Sequence, residues 1–430
     1  MSARLHRLSN GVRVAVDPQP ELETLSLSVV VRGGARWEDE ARSGWSHLLE
    51  HMVFKGAGDR DARQLAEAVE DAGGSINAAT GHERTSFQVR ALKDGLPLAA
   101  EIVSDLVFRP RLEAGELERE KGVIGQEIAE ATDAPDDHVF TLAQARAFGD
   151  VPLGRPILGT VESIGRADPD TLGAWRAHLY APERMVISVA GAVEEVEALR
   201  LAEQWFGAEG SSGAPGEPEP AAFAGGAVAE ARRLEQAHLV LLLPGVGVRD
   251  PDYFAFRLFA EVLGGGMSSR LFQHVREQRG LAYSIDAYAE TYEDGGLLGV
   301  YAGCGAKDAA EAARVTAAEI VALANGVTEA EFRRAKALLK SGMFMAREST
   351  LARAEQAAGQ ILLFDRVFTS GDLSEAIDEV DVDDLRRLGA RLLDGRSAGA
   401  VLGPKAALGA VQAFEAALPK PALSRAAAAG

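Results

Sequence analysis

The chain is poor in several features that would each open a class of function. One cysteine, Cys304, in 430 residues excludes an intrachain disulfide and fits a reducing compartment. No run approaches the roughly 18 apolar residues of a membrane-spanning helix. Lysine and arginine never form a block, and a formal net charge of -19 disfavours nucleic acid and anionic membrane surfaces, both of which need basic patches. The stretch from Met1 to Asn10 lacks the apolar core of about 7 residues that a secretory signal requires, so cytoplasmic residence is the expectation. Histidine is scarce as well, at 8 in the chain. Two of these stand four residues apart with a glutamate between them.

That cluster, His47-Leu48-Leu49-Glu50-His51, puts two imidazoles and a carboxylate on a turn and a half of helix. Residues four apart share a helical face about 6 Å from each other, so His47 and His51 can reach one ion. Glu50 lies roughly 100° around the helix from His51, near a water on that ion. Ser43 is the expected cap, and Trp45, Leu48, Leu49, Met52 and Val53 make the helix apolar nearly all round, hence buried. Buried imidazoles and a buried carboxylate each lose hydration worth a few kcal/mol unless something pairs with them, and a metal does so. A catalytic zinc takes three protein ligands and keeps one position open. This helix supplies two of the three.

Hydrophobic residues at 47% and charged residues at 25% are ordinary for a globular protein, and the length suits two domains of about 200 residues each. Residues 207–229 read GAEGSSGAPGEPEPAAFAGGAVA, a linker between domains at 1–206 and 230–430. Both halves open alike, with a strand at Leu25–Val31 and another at His238–Leu243. Helices follow over 61–72, capped by Asp61, and over 268–279, with Leu271, Phe272 and Val275 as its apolar stripe. Strands come next, alternating Thr85, Phe87, Val89 and Ala91 in one half and running through Gly296–Tyr301 in the other. The fold class read from this is α+β, two tandem homologous domains, each a mainly antiparallel sheet packed with helices. Only the first copy keeps the chemistry. At an offset of 207 the second places Phe254, Arg257 and Leu258 where the first has His47, Glu50 and His51.

A helix from Ala114 to Thr132 offers Glu116, Glu118, Glu120, Glu127 and Glu130 as sources of the third ligand. Glu120 and Glu127, seven apart, share a face. Spacing alone does not choose among these carboxylates.

The pentapeptide is the inverted zinc motif H-x-x-E-H, and with Gly44-x-x-His47 and Met52-x-Phe54-x-Gly56 around it the chain resembles the pitrilysin and insulysin metallopeptidases. In that family the third ligand is a glutamate about 76 residues after the second histidine, which the resemblance places at Glu127 within Val123-Ile124-Gly125-Gln126-Glu127-Ile128. A family glutamate seven residues earlier falls on Glu120, and it supports the site without touching the metal. Asn77-Ala78-x-Thr80 resembles the segment that anchors the substrate backbone at the sheet edge. Gly264 to Phe272 and Val275 to Tyr283 resemble the second signature, with Arg276 and Tyr283 on its substrate-contacting pair. The resemblance spans nearly the whole chain, and the length is that of the short branch similar to processing-peptidase subunits, where two chains of two domains assemble.

The resemblance implies a zinc endopeptidase of unfolded or extended peptides with one Zn2+ per chain, held by His47, His51 and Glu127. A metal-activated water attacks, Glu50 is the general base, Tyr283 donates a hydrogen bond to the oxyanion and Arg276 clamps substrate carbonyls. A homodimer is the expected assembly, with a heterodimer of related chains as the variant. The alternative is a non-catalytic structural or partner subunit, against which the retained base Glu50 argues.

Overall fold

A computed structural model of the chain describes residues 3–210, 213 and 216–419. Within the expected linker, Ser211, Ser212, Ala214 and Pro215 lie outside the described residues. Two tandem α+β units emerge, each built on one sheet. The first sheet runs β1-β2-β8-β3-β7-β6, with β1 at Arg4–Arg7, β2 at Arg13–Pro18, β3 at Thr24–Val31, β6 at Ser75–Thr80, β7 at Thr85–Leu92 and β8 at Met185–Gly191. A small ladder of β4 (Gly56–Ala57) and β5 (Arg60–Asp61) stands apart from it. The second sheet runs β11-β12-β10-β13-β9, with β9 at Gly226–Ala231, β10 at Gln236–Gly245, β11 at Ala282–Thr291, β12 at Gly296–Gly305 and β13 at Ala398–Gly403.

Each sheet holds one parallel pair, β2 with β8 and β13 with β9, among antiparallel neighbours. The repeated strand order is the structural form of the duplication read from sequence. Along β7 the residues Thr85, Phe87, Val89 and Ala91 are buried, as their alternation requires. Strand β3 is buried on both faces instead. Leu25, Leu27, Val29 and Val31 pack in one core with Leu48, Leu49, Met52 and Val53, and Val30 packs in another with Ala357, Ala358 and Ile361. Strand β10 does the same, setting Leu239, Leu241 and Leu243 against Phe256 and Phe259, and Val240 and Leu242 against Val139, Ala143 and Phe148.

Covering both faces needs helices from far along the chain, and this redraws the domains. The compact units are Met1–Glu130, Arg155–Glu219 and Met343–Leu373 for one, and Ala131–Gly154, Pro220–Gly342 and Ser374–Gly430 for the other. The helix Thr350–Phe364 therefore belongs with the first sheet, and the helix Pro135–Phe148 with the second. A division at 207–229 assigns each to the opposite half, because local periodicity does not show which sheet a helix will cover. Among the described residues no helix is long and apolar enough to cross a membrane.

The histidine helix spans Trp45–Val53, with Leu48, Leu49, Met52 and Val53 fully buried. Each such side chain contributes about 2 kcal/mol by leaving water. Its cap is Gly44, not the expected Ser43. Gly44 holds φ 87, and a Cβ there would come within 2.6 Å of the Leu158 carbonyl oxygen, so glycine is required twice over. The orphan N–H groups of the first turn find a carboxylate instead. Gly44 N–H donates to Glu38 Oε2 and Ser46 N–H to Glu38 Oε1, both at 2.7 Å. The helix expected over 268–279 also differs, because Phe272–Glu277 is wound as a π-helix, a form that recurs at functional positions.

Candidate metal centre

The histidine helix and the acidic helix Ala114–Asp133 bring His47, His51 and Glu127 together. One candidate ligand atom from each lies within 4.8 Å of the others. Glu127 Oε2 is 3.6 Å from His51 Nε2 and 3.9 Å from His47 Nε2. Ligands about 2.1 Å from one tetrahedral ion sit roughly 3.4 Å apart, so small side-chain shifts close this set on zinc. Two atoms here, Glu127 Oε2 and His47 Nδ1, are buried without a hydrogen-bond partner. Burial in company with His51, partly offset by Glu127, pushes the His47 imidazole down to about 4. At neutral pH it is then the uncharged form that ligates metals.

Around this set the acidic helix sorts its carboxylates by environment. Glu120 is buried, and its Oε2 lies 3.0 Å from His51 Nδ1. Accepting the Nδ1 proton leaves Nε2 free to face Glu127. On the other oxygen, Lys55 Nζ forms an ion pair with Glu120 Oε1 at 2.8 Å. Glu116 pairs with Arg119, Glu118 with Lys121, and Glu130 is exposed. Glu127→Gln is accordingly expected to weaken zinc retention by about tenfold or more, while Glu116→Gln leaves it unchanged. Zinc retained after dialysis measures both, and equal loss from the two variants would point to another carboxylate.

Glu50 lies on the same helix, and its Oε2 is buried without a partner. Nearby Tyr180 is buried, and burial raises its pKa against a side-chain hydrogen bond with Thr85, with the Glu50 charge adding to the rise. Strand β6, carrying Asn77 and Ala78, packs against the histidine helix and ends the sheet, so its outer main-chain edge is unpaired among the described strands. Asn77 is exposed and Ala78 buried. Arg276 and Tyr283 belong to the other unit. Arg276 lies on the π-helix with its guanidinium 4.6 Å from the Phe272 ring centroid. Tyr283 sits where the β11–β12 register shifts between Ala282 and Ser284, a bulge that turns its ring outward to 67% exposure.

Two residues escaped the sequence reading. Glu38 has no motif around it, and its role needs the loop that carries it to fold back over the helix start. Its carboxyl is pushed up to about 7 by burial, against the hydrogen bonds of Ser46 and Gly44 and the charge of Arg155. Lys55 lay unremarked between Phe54 and Gly56, although four residues after His51 is the spacing that shares a helical face.

Known proteins align with this arrangement. The description Insulinase (Peptidase family M16) matches residues 13–161, and Peptidase M16 inactive domain matches residues 166–339. The uncharacterized zinc protease YmxG of Bacillus subtilis (strain 168) is 33% identical over 92% of this chain and 97% of its own length. The chain belongs to peptidase family M16, the insulinase family. It is of the short type with two domains, like the uncharacterized zinc protease ML0855 of Mycobacterium leprae (strain TN), 35% identical over 93% of this chain and 91% of that one. A protease from Helicobacter pylori shares the M16 chain's fold at a TM-score of 0.87, with 20% identity, over 94% of this chain and 99% of that one. The metal cluster falls within the first match, and the second contains Phe254, Arg257 and Leu258 in place of the motif.

Proposed function

We propose that this M16 chain is a zinc-dependent endopeptidase of extended or unfolded peptides. The observation that carries the reading is the convergence of His47, His51 and Glu127, with the buried, unpartnered Glu50 Oε2 on the helix that carries both histidines. The names of the relatives, zinc proteases, support the choice of metal. Bound zinc supplies a Lewis acid that polarises a peptide carbonyl and acidifies water. The protein's own groups do the rest. His47 and Glu127 ligate, and His51 is held for ligation by Glu120. Glu50 Oε2 takes the proton of the attacking water and returns it to the leaving amine. The free edge of β6 at Asn77 and Ala78 pairs with substrate main chain, which gives affinity with little demand on side chains.

Arg276 would clamp substrate carbonyls and Tyr283 donate to the developing oxyanion, both supplied by a partner subunit in a homodimer or a heterodimer of related chains. The reading as a non-catalytic subunit draws on the words "inactive domain", which attach to residues 166–339 and leave the first match untouched. A chemically unfolded polypeptide offered beside its native form should be cut at internal bonds only when unfolded. Cleavage of both forms at equal rates would contradict edge pairing as the recognition mode.

A further inference from the structure

We propose that Lys55 is a positioning residue of the metal centre, acting through Glu120 on His51. The inference rests on the metal reading above and extends it to a residue outside the motif. The chain turns at the end of the histidine helix, where Phe54 N–H donates to the His51 carbonyl oxygen at 3.3 Å and Lys55 N–H to that of Met52 at 3.1 Å. This winding keeps Lys55 one helical turn beyond His51 and on its side. The Glu120 carboxylate then bridges the two. Its Oε1 is ion-paired with Lys55 Nζ at 2.8 Å, and its Oε2 lies 3.0 Å from His51 Nδ1.

A carboxylate hydrogen-bonded at one oxygen and ion-paired at the other is restrained from rotating, so the imidazole bonded to it is held in one ring orientation, with Nε2 toward Glu127 at 3.6 Å. The Glu120 side chain is only 6% exposed, against 33% for Lys55. Water therefore does not readily replace the ammonium at Oε1, and loss of the lysine leaves a largely buried carboxylate without its counter-charge. The carboxylate gains a rotational freedom that the histidine inherits. Lysine supplies the charge and the reach from a half-exposed position, where its stem packs and its head stays near solvent.

The test is zinc release from the intact chain to a chromophoric chelator, followed without reference to activity. Lys55→Met keeps the stem and removes the donor, and it should release zinc about tenfold faster than wild type. Lys55→Arg should stay within about twofold, since a guanidinium restores the donor. Lys55→Ala, which removes the ammonium without exposing a long apolar side chain, repeats the test should the methionine variant fold poorly. In a Glu120→Gln background Lys55→Met should add nothing, because the path through the carboxylate is already broken. Unchanged release in Lys55→Met and Lys55→Ala overturns the proposal. So does an effect that persists in full in the Glu120→Gln background, which would mean that Lys55 acts by another route. A wild-type chain that takes up no zinc contradicts the metal reading itself and is distinguished from either result.

Discussion

Glu50→Gln is expected to bind zinc as wild type does while losing about 100-fold or more in peptide hydrolysis. The substitution leaves the helix Trp45–Val53 and its two histidines in place. What it removes is a carboxylate oxygen on that helix which is buried and has no hydrogen-bond partner. Such an oxygen costs the protein stability, of order 1–3 kcal/mol for an unsatisfied buried group. The proposed proton transfer would account for such an oxygen, since a base already satisfied by neighbours is a poorer acceptor for a water's proton. Metal content and turnover measured on the same preparation separate ligand from base. Near-wild-type turnover with full zinc would remove Glu50 from the mechanism.

The second large effect concerns assembly. Arg276 and Tyr283 stand on the unit without the motif, Arg276 with a side chain 43% exposed and Tyr283 67% exposed. If a twofold dimer builds each site from two chains, Glu50→Gln and Arg276→Ala homodimers are each nearly inactive. Re-assorting them at random makes half the dimers mixed, with one complete site of two, so roughly a quarter of wild-type turnover should return. Should Arg276 serve the zinc of its own chain, every site in the mixture carries a defect and nothing returns. Turnover before and after re-assortment decides between the two arrangements.

Much of the site's scaffold was legible because it is local. The spacing of His47 and His51 fixes a shared helical face whatever else the chain does, and the alternation from Thr85 to Ala91 fixes which side of β7 is buried. The seven-residue interval likewise put Glu120 and Glu127 on one face of the acidic helix. Which glutamate approached the histidines was not local, since five competed on that helix and only packing buries Glu120 while leaving Glu118 and Glu130 in solvent. The cap failed for a related reason. Serine is a good cap by propensity, but Gly44 takes the left-handed turn, and the carboxylate of Glu38, six residues before it in the chain, reaches the free N–H groups. The helix exchange at 131–154 and 343–373, the π-helical winding under Arg276 and the bulge at Tyr283 all depend on contacts far apart in sequence.

Metal removal and return on the wild-type chain, with zinc content and cleavage of an unfolded polypeptide followed together, tests whether the chain is a zinc peptidase. One zinc per chain is expected at His47, His51 and Glu127, with internal cleavage lost as a chelator strips it and both recovered when zinc is restored. Cleavage that survives complete removal of the metal, or a chain that holds zinc and never cuts a peptide bond, would contradict that reading.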